Sequence, residues 1–401
     1  MSAKQHCFFQ VTLPGLLLVV APVATANNWS GNIATELLAF QKQPLVSEQH
    51  NTYLSISAEA VYQQSWDNGH QWFDFRGFVR GDQHDSRRSH VDIREFSLGY
   101  AGERWELIAG ISKVYWGVTE SQHLVDIINQ TDLVENLDTE DKLGQPMINL
   151  AYVADQGTLN MYLLAGFRER VFAGKAGRPR FPLAIEQDNE SYDDDIKYQS
   201  LEFAVRWFQT LGDWEIGLSH FSGTSRSPFL KLVPTGLLTP PVLQPVYRQI
   251  EQTGLEIQGA FGAWLWKLEA IRNAGFSEHA YLASVAGFEY TFTLDSGIEV
   301  GSLIEYSYDD RGKTLQTQFQ KDLLIGARIT FNNVQSTQLL AGVLIDLEGG
   351  GKSYNIEAER RLGSSWKISL EGRGIFGVEA NDFLYGFRRE NTLRINLARY
   401  F

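Results

Sequence analysis

The sequence predicts an all-β fold: a transmembrane antiparallel up-and-down β-barrel of eighteen strands, or sixteen in the alternative, with an inward-folded loop after the fifth strand. Three observations predict it. Apolar and polar residues alternate over segments longer than an ordinary globular strand. Tight turns alternate with long polar connections along the chain, and aromatic residues concentrate at strand ends.

The N-terminal segment, residues 1–26, is typical of a secretory signal peptide. Lys4 and His6 precede an apolar run over 8–20, and Ala24-Thr25-Ala26 offers a small-residue cleavage site. The apolar run is too short to span a bilayer, and no later segment reaches the roughly 18 apolar residues of a membrane helix. Residues 27–401 are therefore predicted to form one barrel domain.

Composition excludes several classes of protein. The formal net charge of -13 argues against a nucleic-acid partner. The single cysteine, Cys7, lies in the predicted signal peptide, so neither disulfide nor thiol chemistry is expected after cleavage. Aromatic residues at 12% and 36 glycines suit a large β-protein with tight turns.

The predicted strands come from segments in which apolar residues recur at every second position. In 157–170, for example, Leu159, Met161 and Leu163 alternate with Asn160 and Tyr162. Most segments exceed the 9 to 11 residues of a tilted membrane strand. The strands are predicted near residues 32–41, 52–64, 69–81, 89–101, 104–116, 146–154, 157–170, 197–209, 213–224, 247–261, 264–275, 282–294, 297–309, 319–332, 336–348, 353–362, 365–377 and 391–401.

The connections alternate in length. Every second one is tight, as at Asp67-Asn68, Leu211-Gly212 and Asn332-Asn333, and the longest of the others are 117–145, 171–196 and 225–246. Short periplasmic turns and long external loops are typical of outer-membrane barrels. An even strand count returns the C-terminus to the side on which the first strand begins.

Aromatic residues occupy strand ends beside the tight turns, where membrane barrels carry interfacial girdles. They are Trp105, Trp207, Trp214, Trp264, Trp266, Trp366, Tyr290 and Phe292. The chain closes on an amphipathic strand over 393–401 that ends in Phe401, although Arg399 stands where an apolar or aromatic residue is common.

Taken together, the signal peptide, the rhythm of strands and turns and the terminal Phe401 make the chain resemble the bacterial porin superfamily across 27–401. Tyr115-Trp116-Gly117, Asp126-Ile127-Ile128-Asn129 and Asp132-Leu133 also resemble a pattern in poorly characterised porin-like proteins of proteobacteria. The resemblance implies a Gram-negative outer-membrane location, an assembly machinery that reads the C-terminal strand, lipid and lipopolysaccharide neighbours, and a possible homotrimer.

The predicted lumen face is rich in charge, because the residues that alternate with the lipid-facing positions are acidic and basic. A barrel of 16 to 18 strands leaves an aqueous channel that such residues can line. They either set up a field across the lumen or form salt bridges that stiffen the wall. The candidates are Arg76, Arg80, Arg168, Arg170, Arg206, Arg328, Arg373, Glu202, Glu256, Glu289 and Glu299.

The segment 117–145 departs from the strand pattern, because Leu124, Val125, Ile127 and Ile128 have a spacing that suits a helical turn or two. In porins the loop at this place folds inward and narrows the pore, and an acidic loop there favours cations or neutral solutes. The alternative is a solvated lid over the mouth that meets lipopolysaccharide through divalent cations. The constriction candidates are Glu120, Asp126, Asp132, Glu135, Asp138, Glu140 and Asp141.

Two further loops and one acidic run give weaker signals. Loop 171–196 mixes both charges, and the Pro-rich loop 225–246 could cap the barrel, although an ordered surface loop is the simpler expectation. The run 138–141 lacks the spaced ligands and central Gly of a calcium loop, so no metal site is predicted.

These features predict a channel for passive diffusion of small hydrophilic solutes, without cofactor or catalytic residues. Two alternatives stay open: a non-conducting structural or assembly barrel, and an outer-membrane enzyme. His220 and Ser222 share the lipid-facing parity and resemble the dyad of outer-membrane phospholipases, which use nucleophilic catalysis. The simpler interpretation is a strand end whose polar residues reach the headgroups. No HExxH, GxSxG or phosphate-binding glycine motif occurs.

Overall fold

The computed structural model describes residues 28–193, 201–237, 239–312, 314, 317, 319–380 and 382–401. The predicted signal peptide lies outside these residues. Within them, no helix is both long and apolar enough to cross a bilayer. The two short 3-10 helices span Asp67–Gly69 and Phe383–Phe387.

Eighteen strands form one closed antiparallel barrel, so the predicted strand number is confirmed. Each barrel strand pairs with the next along the chain, and the last strand pairs with the first to close the sheet. The barrel strands are β1 Trp29–Phe40, β2 Thr52–Trp66, β3 Gln71–Asp82, β4 His90–Ala101, β5 Trp105–Ser112, β6 Gln145–Ala154, β7 Gly157–Ala165, β9 Leu201–Leu211, β10 Trp214–Thr224, β13 Gln249–Phe261, β14 Trp264–Ala274, β15 Tyr281–Thr293, β16 Glu299–Asp309, β17 Lys321–Thr330, β18 Gln338–Asp346, β19 Lys352–Leu362, β20 Trp366–Phe376 and β21 Thr392–Tyr400.

The alternation along these strands places apolar side chains outside. In β2, Leu54 and Ile56 are 55% and 57% exposed, whereas Ser55 and Ser57 are 3% and 8% exposed. This reverses the pattern of a water-soluble protein and fits a wall that faces lipid outside and polar groups inside. Trp105, Trp214 and Trp366 each begin a strand next to a tight turn and stay about 41–42% exposed, as expected for an interfacial girdle.

Three strands outside the barrel were not predicted from the sequence. β8 (Ser191–Tyr192), β11 (Phe229–Val233) and β12 (Val242–Tyr247) form a separate small sheet from the two long loops predicted at 171–196 and 225–246. β11 and β12 pair antiparallel, and β8 adds in parallel. The described part of the Pro-rich loop therefore contains a hairpin formed by β11 and β12.

Two predicted strands end earlier than expected. β5 ends at Ser112 instead of 116, and β7 ends at Ala165 instead of 170. At the end of β7, Gln145 Nε2 donates to the carbonyls of Ala165 and Gly166 at 3.1 and 2.9 Å, and Gly166 takes a φ of 71°, so the chain turns away from the ladder.

Candidate functional site: the inward loop and the cavity beside it

Residues 113–144, here called the inward loop, leave the wall after β5 and cross the barrel interior. Asn129 ties its two ends together: its side chain accepts from Val114 N at 2.8 Å and donates to the carbonyls of Ser112 and Leu143 at 2.9 Å each. Val125 and Ile128 are 2% and 0% exposed within an apolar cluster. The predicted inward fold is therefore present.

Residues 113–144 contain no helix, but isolated hydrogen-bonded turns occur at 124–125 and 133–135, where Asn136 N donates to Asp132 O at 3.4 Å. Their backbone N–H groups donate to carboxylates of the barrel wall instead. Glu269 on β14 accepts from Val118 N at 2.7 Å, Thr119 N at 2.9 Å and Val125 N at 3.2 Å. Such charge-assisted bonds replace the bonds that a helix would form within the segment.

Further wall carboxylates hold the same half of the loop. Glu305 on β16 accepts from Glu120 N at 2.8 Å and from Ser121 N at 2.7 Å. Glu256 on β13 accepts from Gly117 N at 3.0 Å. Since Glu269 and Glu305 are both 0% exposed, the loop N–H groups supply much of their solvation.

Arginines on the opposite wall hold the other half of the loop. Arg80 on β3 binds Glu135 through two hydrogen bonds of 2.8 Å each. Arg88 donates to Val134 O at 2.8 Å, and Arg394 on β21 donates to Glu135 O at 2.9 Å. The loop thus lies with its N–H groups against an acidic wall and its carboxylates against a basic wall.

The remaining constriction candidates also have partners, and all seven candidates lie on the inward loop. The contacts with basic side chains are Glu120 to Arg328 at 2.7 Å, Asp126 to Lys142 at 3.1 Å, Asp132 to His90 at 3.8 Å, Asp138 to Arg373 at 3.2 Å and Glu140 to His123 at 2.7 Å, while the Asp141 carbonyl accepts from Asp132 N at 2.7 Å. Glu120, Asp126, Asp138 and Glu140 line the cavity, whereas Asp132 and Glu135 are buried against the wall.

Proton affinities in the loop follow from this packing. Burial opposes protonation of His123, but its hydrogen bond to Glu140 outweighs burial and raises the pKa of His123 to about 9. Burial raises the pKa of Asp132 and of Asp138 to about 7 each, against the opposing effect of Arg94 and Arg373. Burial also acts to raise the pKa of Glu135, but Arg80, Arg88 and Arg94 together lower it.

A cavity of about 1870 Å³ runs beside the inward loop. Its lining extends from Arg180 and Pro228 in the long loops to Gly262 and Ser364 in the tight turns, so it reaches from one end of the barrel to the other. Strands β13 to β21 contribute residues to its wall. Acidic and basic side chains occur along the lining in comparable numbers.

The lumen candidates divide between this lining and the wall behind the loop. Arg170, Arg328, Arg373, Glu289 and Glu299 line the cavity. The others form ion pairs inside the wall: Arg76 with Glu95, Arg80 with Glu135, Arg168 with Asp92, Arg206 with Glu256, and Glu202 with Arg226. Arg168 and Arg170 follow the end of β7, so the prediction that they are strand residues is wrong.

The long loop after β7 is fixed over the mouth of the barrel. The Arg178 side chain is 0% exposed, and it donates to Glu390 at 2.9 Å and to the carbonyl of Arg389 at 2.8 Å. Asp85 accepts from Gly174 N at 3.1 Å. Residues of this loop, among them Pro179 and Phe181, line the cavity.

Sequence reasoning missed part of the wall that binds the loop. Glu36, Glu59, Arg88 and Arg94 are each 4–7% exposed and complete the ion-pair network around Glu135. The alternation of β1 and β2 places Glu36 and Glu59 on the inner face, so that signal was available. Arg88 lies outside any strand, and its role depends on the folded loop.

One cluster in this network has the composition of a metal site. His90, Asp132 and Glu135 bring one ligand atom each to within 4.8 Å of one another. Arg94 lies 3.9 Å from Asp132 and 3.8 Å from Glu135, and Arg80 binds Glu135 directly. Because two guanidinium groups already supply positive charge, the geometry favours an ion-pair network.

The candidate dyad on the outer wall has a different geometry from a nucleophile and its base. Ser222 donates to Glu251 at 2.7 Å, and His220 lies 2.9 Å from the same carboxylate and 3.0 Å from Thr253 Oγ1. Glu251 thus separates the hydroxyl from the imidazole. A serine nucleophile requires its base within hydrogen-bond reach.

Comparison with known proteins supports the fold alone. No family model and no curated protein matches the chain. Crystal structures of OccK8 (OprE) and OccK3 (OpdO) of Pseudomonas aeruginosa are similar, with TM-scores of 0.54 and 0.53, identities of 9% and 10%, 93% of this chain covered, and 98% and 96% of theirs. A double-mutant porin of Rh. blastica aligns over 93% of this chain and 99% of its own at a TM-score of 0.43 and 11% identity. The chain has a porin-like fold.

Proposed function

We propose that this protein is an outer-membrane channel of a Gram-negative bacterium through which small hydrophilic solutes diffuse passively. The observation that carries the proposal is the cavity of about 1870 Å³ that reaches from the long loops to the tight turns beside the inward loop. A water-filled interior also accounts for the acidic and basic side chains of the lining, which are costly to bury in a dry core.

The ion pairs of the inward loop restrict the charge preference. Glu120, Asp138 and Glu140 face the cavity, but each lies within hydrogen-bond distance of a cationic partner or, for Glu140, of a histidine with a raised pKa. The loop therefore presents little net charge to a solute. We propose that neutral solutes pass best and that cations are favoured over anions only weakly.

Planar-bilayer conductance tests this proposal. The refolded protein should show discrete current steps. In a salt gradient its reversal potential should be close to zero or should indicate a slight preference for cations. Deletion of residues 120–142 should enlarge the steps. It should also shift selectivity towards anions, because Arg80, Arg94 and Arg373 lose loop carboxylates that lie against them. Silence from both proteins contradicts the channel proposal.

A variant that neutralises one carboxylate and keeps the loop serves as the matched control for the deletion. Asp138→Asn keeps the loop and removes one carboxylate beside Arg373, so it should shift the reversal potential in the same direction without enlarging the steps. If the deletion alone conducts and the intact barrel is silent, the loop is a plug and passive diffusion is the wrong mechanism.

The partners of the barrel are part of the same proposal. Phe401 is 69% exposed, and its backbone bonds Gly31 in both directions at 3.1 Å where β21 meets β1. We propose that β21, which lies at this closing seam, is the strand that the barrel-assembly machinery reads. The apolar outer face suits outer-membrane lipid, and lipopolysaccharide and a homotrimer stay predictions that cross-linking in native membranes would test.

A further inference from the structure

The inner face of β16, β17 and β18 is apolar at the centre of the barrel wall. Leu303, Leu324, Leu340 and Leu344 all line the cavity. Leu324 lies opposite Leu344, and Leu303 lies opposite Gly326 in the strand register. The interior of a porin is normally polar, so a group of leucines facing an aqueous channel requires a reason.

Two glycines form the floor of this apolar area. Gly326 on β17 lies directly opposite Gly342 on β18, and both line the cavity. A Cβ atom on Gly342 would come within 3.1 Å of Leu324 Cδ1, and one on Gly326 would come within 3.0 Å of the Ala341 carbonyl oxygen. Glycine within a strand often marks a place where a ligand approaches the backbone closely.

The four leucines and these two glycines, here called the leucine niche, form an apolar area of the inner wall in which Leu303 is only 2% exposed. Leu324 Cδ1 and Leu303 Cδ2 lie 3.1 and 3.7 Å from the Cβ positions of Gly342 and Gly326, so a planar ring at this place would pack on leucine methyl groups beside the glycine backbone. Aromatic rings also bury the most apolar area for a small solute, which gives such a contact useful affinity. A small polar solute gains nothing from the same surface.

The rim of the leucine niche carries both signs of charge. Arg328 lies opposite Leu340 on one side, and Glu357 lies opposite it on the other. Arg328 bonds Glu120 at 2.7 Å and Arg373 lies 3.6 Å from Glu357, so cations and carboxylates alternate around the niche. Glu289 lies 4.0 Å from Arg328, and Glu305 lies opposite Leu324, so carboxylates outnumber cations there. A head group that carries both charges meets a partner for each, whereas a single charge also meets repulsion.

We propose that the leucine niche binds a small solute with an aromatic ring and a zwitterionic head, the chemistry of an aromatic α-amino acid, during its passage through the channel. This inference rests on the proposed channel function and specifies the solute class of the same cavity.

Transient block of single-channel current by phenylalanine tests the inference. Phenylalanine should produce resolvable blocks, whereas asparagine, which has the same head and no ring, should not. Benzoate and benzylamine carry the ring with one charge each and should dwell for shorter times. If either blocks longer than phenylalanine, the zwitterionic assignment is wrong.

Variants of the leucine niche locate the site of block. Exchange of Leu324 and Leu344 for serine should shorten the phenylalanine dwell time by about fourfold or more, the factor that one buried methylene group contributes. Gly342→Ala should have a similar effect, because its methyl group enters the floor where only a flexible leucine side chain has to move.

Two matched controls carry the same chemical changes elsewhere. Leu265→Ser alters another leucine of the cavity lining on β14, and Gly372→Ala adds a methyl group on β20 where nothing lies within 4 Å. Both should leave the dwell time unchanged. Equal effects of the niche variants and the controls overturn the inference.

Failure of the inference and failure of the channel proposal give different results. Current steps in salt without phenylalanine block mean that the channel stands and the leucine niche has no such ligand. If no steps occur, the channel proposal fails, and calorimetric titration of phenylalanine into refolded wild-type and Gly342→Ala protein decides the niche separately. If wild-type protein gives a heat of binding and Gly342→Ala binds more weakly, the leucine niche is supported as the binding site. If wild-type protein gives no heat of binding, the inference is refuted.

Discussion

Replacement of Glu269 by alanine tests whether the inward loop is fixed by wall carboxylates. Glu269 is 0% exposed and accepts from Val118 N, Thr119 N, Thr119 Oγ1 and Val125 N at 2.7 to 3.2 Å. A hydrogen bond to a charged group contributes about 1.5–3 kcal/mol. The loss of two such bonds would already weaken loop docking by about 3 kcal/mol, and the freed N–H groups then have to find water.

Amide hydrogen exchange measures this loss directly. A change of about 3 kcal/mol corresponds to roughly a hundredfold in an equilibrium constant, so the amides of Val118, Thr119 and Val125 should exchange about a hundred times faster. Current through the channel should become noisier for the same reason. The barrel itself should still fold, because its inter-strand bonds do not involve the Glu269 side chain.

Glu299→Ala is the matched control for this variant, since Glu299 is a cavity-lining carboxylate at the tight-turn end of β16. It should leave the loop amides protected. If Glu269→Ala folds and the three loop amides exchange within about twofold of wild type, the carboxylate does not fix the loop and the argument for a rigid constriction fails.

Three other perturbations have defined outcomes. Burial opposes protonation of His123, but Glu140, Glu269 and Asp126 raise its pKa from 6.5 to about 9. The stabilisation from protonated His123 is therefore fully present below about pH 6.5 and is lost as the pH rises through about 9. Open-channel noise should increase over that pH window in wild type and not in His123→Ala. Arg80→Met should weaken docking of the loop by an amount near the lower end of about 3–5 kcal/mol, because Glu135 keeps other arginine neighbours. Hydrogen exchange of the 132–136 amides should become faster, and unchanged slow exchange would contradict this prediction. Arg178→Ala should expose loop 171–193 to limited proteolysis, whereas unchanged cleavage would show that its ion pair with the 382–390 segment does not hold the mouth.

The barrel itself was determined by local patterns in the sequence. Lipid outside and polar groups inside require a period of two, and a membrane of fixed thickness requires long strands, so alternation, strand length and the rhythm of the turns together predict the eighteen strands. The tight turns and the strand-end tryptophans were predictable for the same reason, because both are local features of a strand that crosses a membrane. Where the pattern misled, at the ends of β5 and β7, side chains from distant segments had replaced ladder partners.

The net charge that the inward loop presents depends on the tertiary structure. The acidic composition of 117–145 was correctly recognised, but composition does not say which wall residue a carboxylate meets. Arg80 and Glu135 are brought together by the closure of the barrel and the inward fold of the loop, and their pairing removes the charge that the sequence seemed to offer.

The leucine niche shows the same division. The inward parity of Leu324, Leu340 and Leu344 can be read from the sequence by the rule that places Arg328 in the lumen. That Gly326 lies opposite Gly342, with leucines on both sides, depends on the register between neighbouring strands. Register is fixed by cross-strand packing and turn geometry, which a single sequence does not specify.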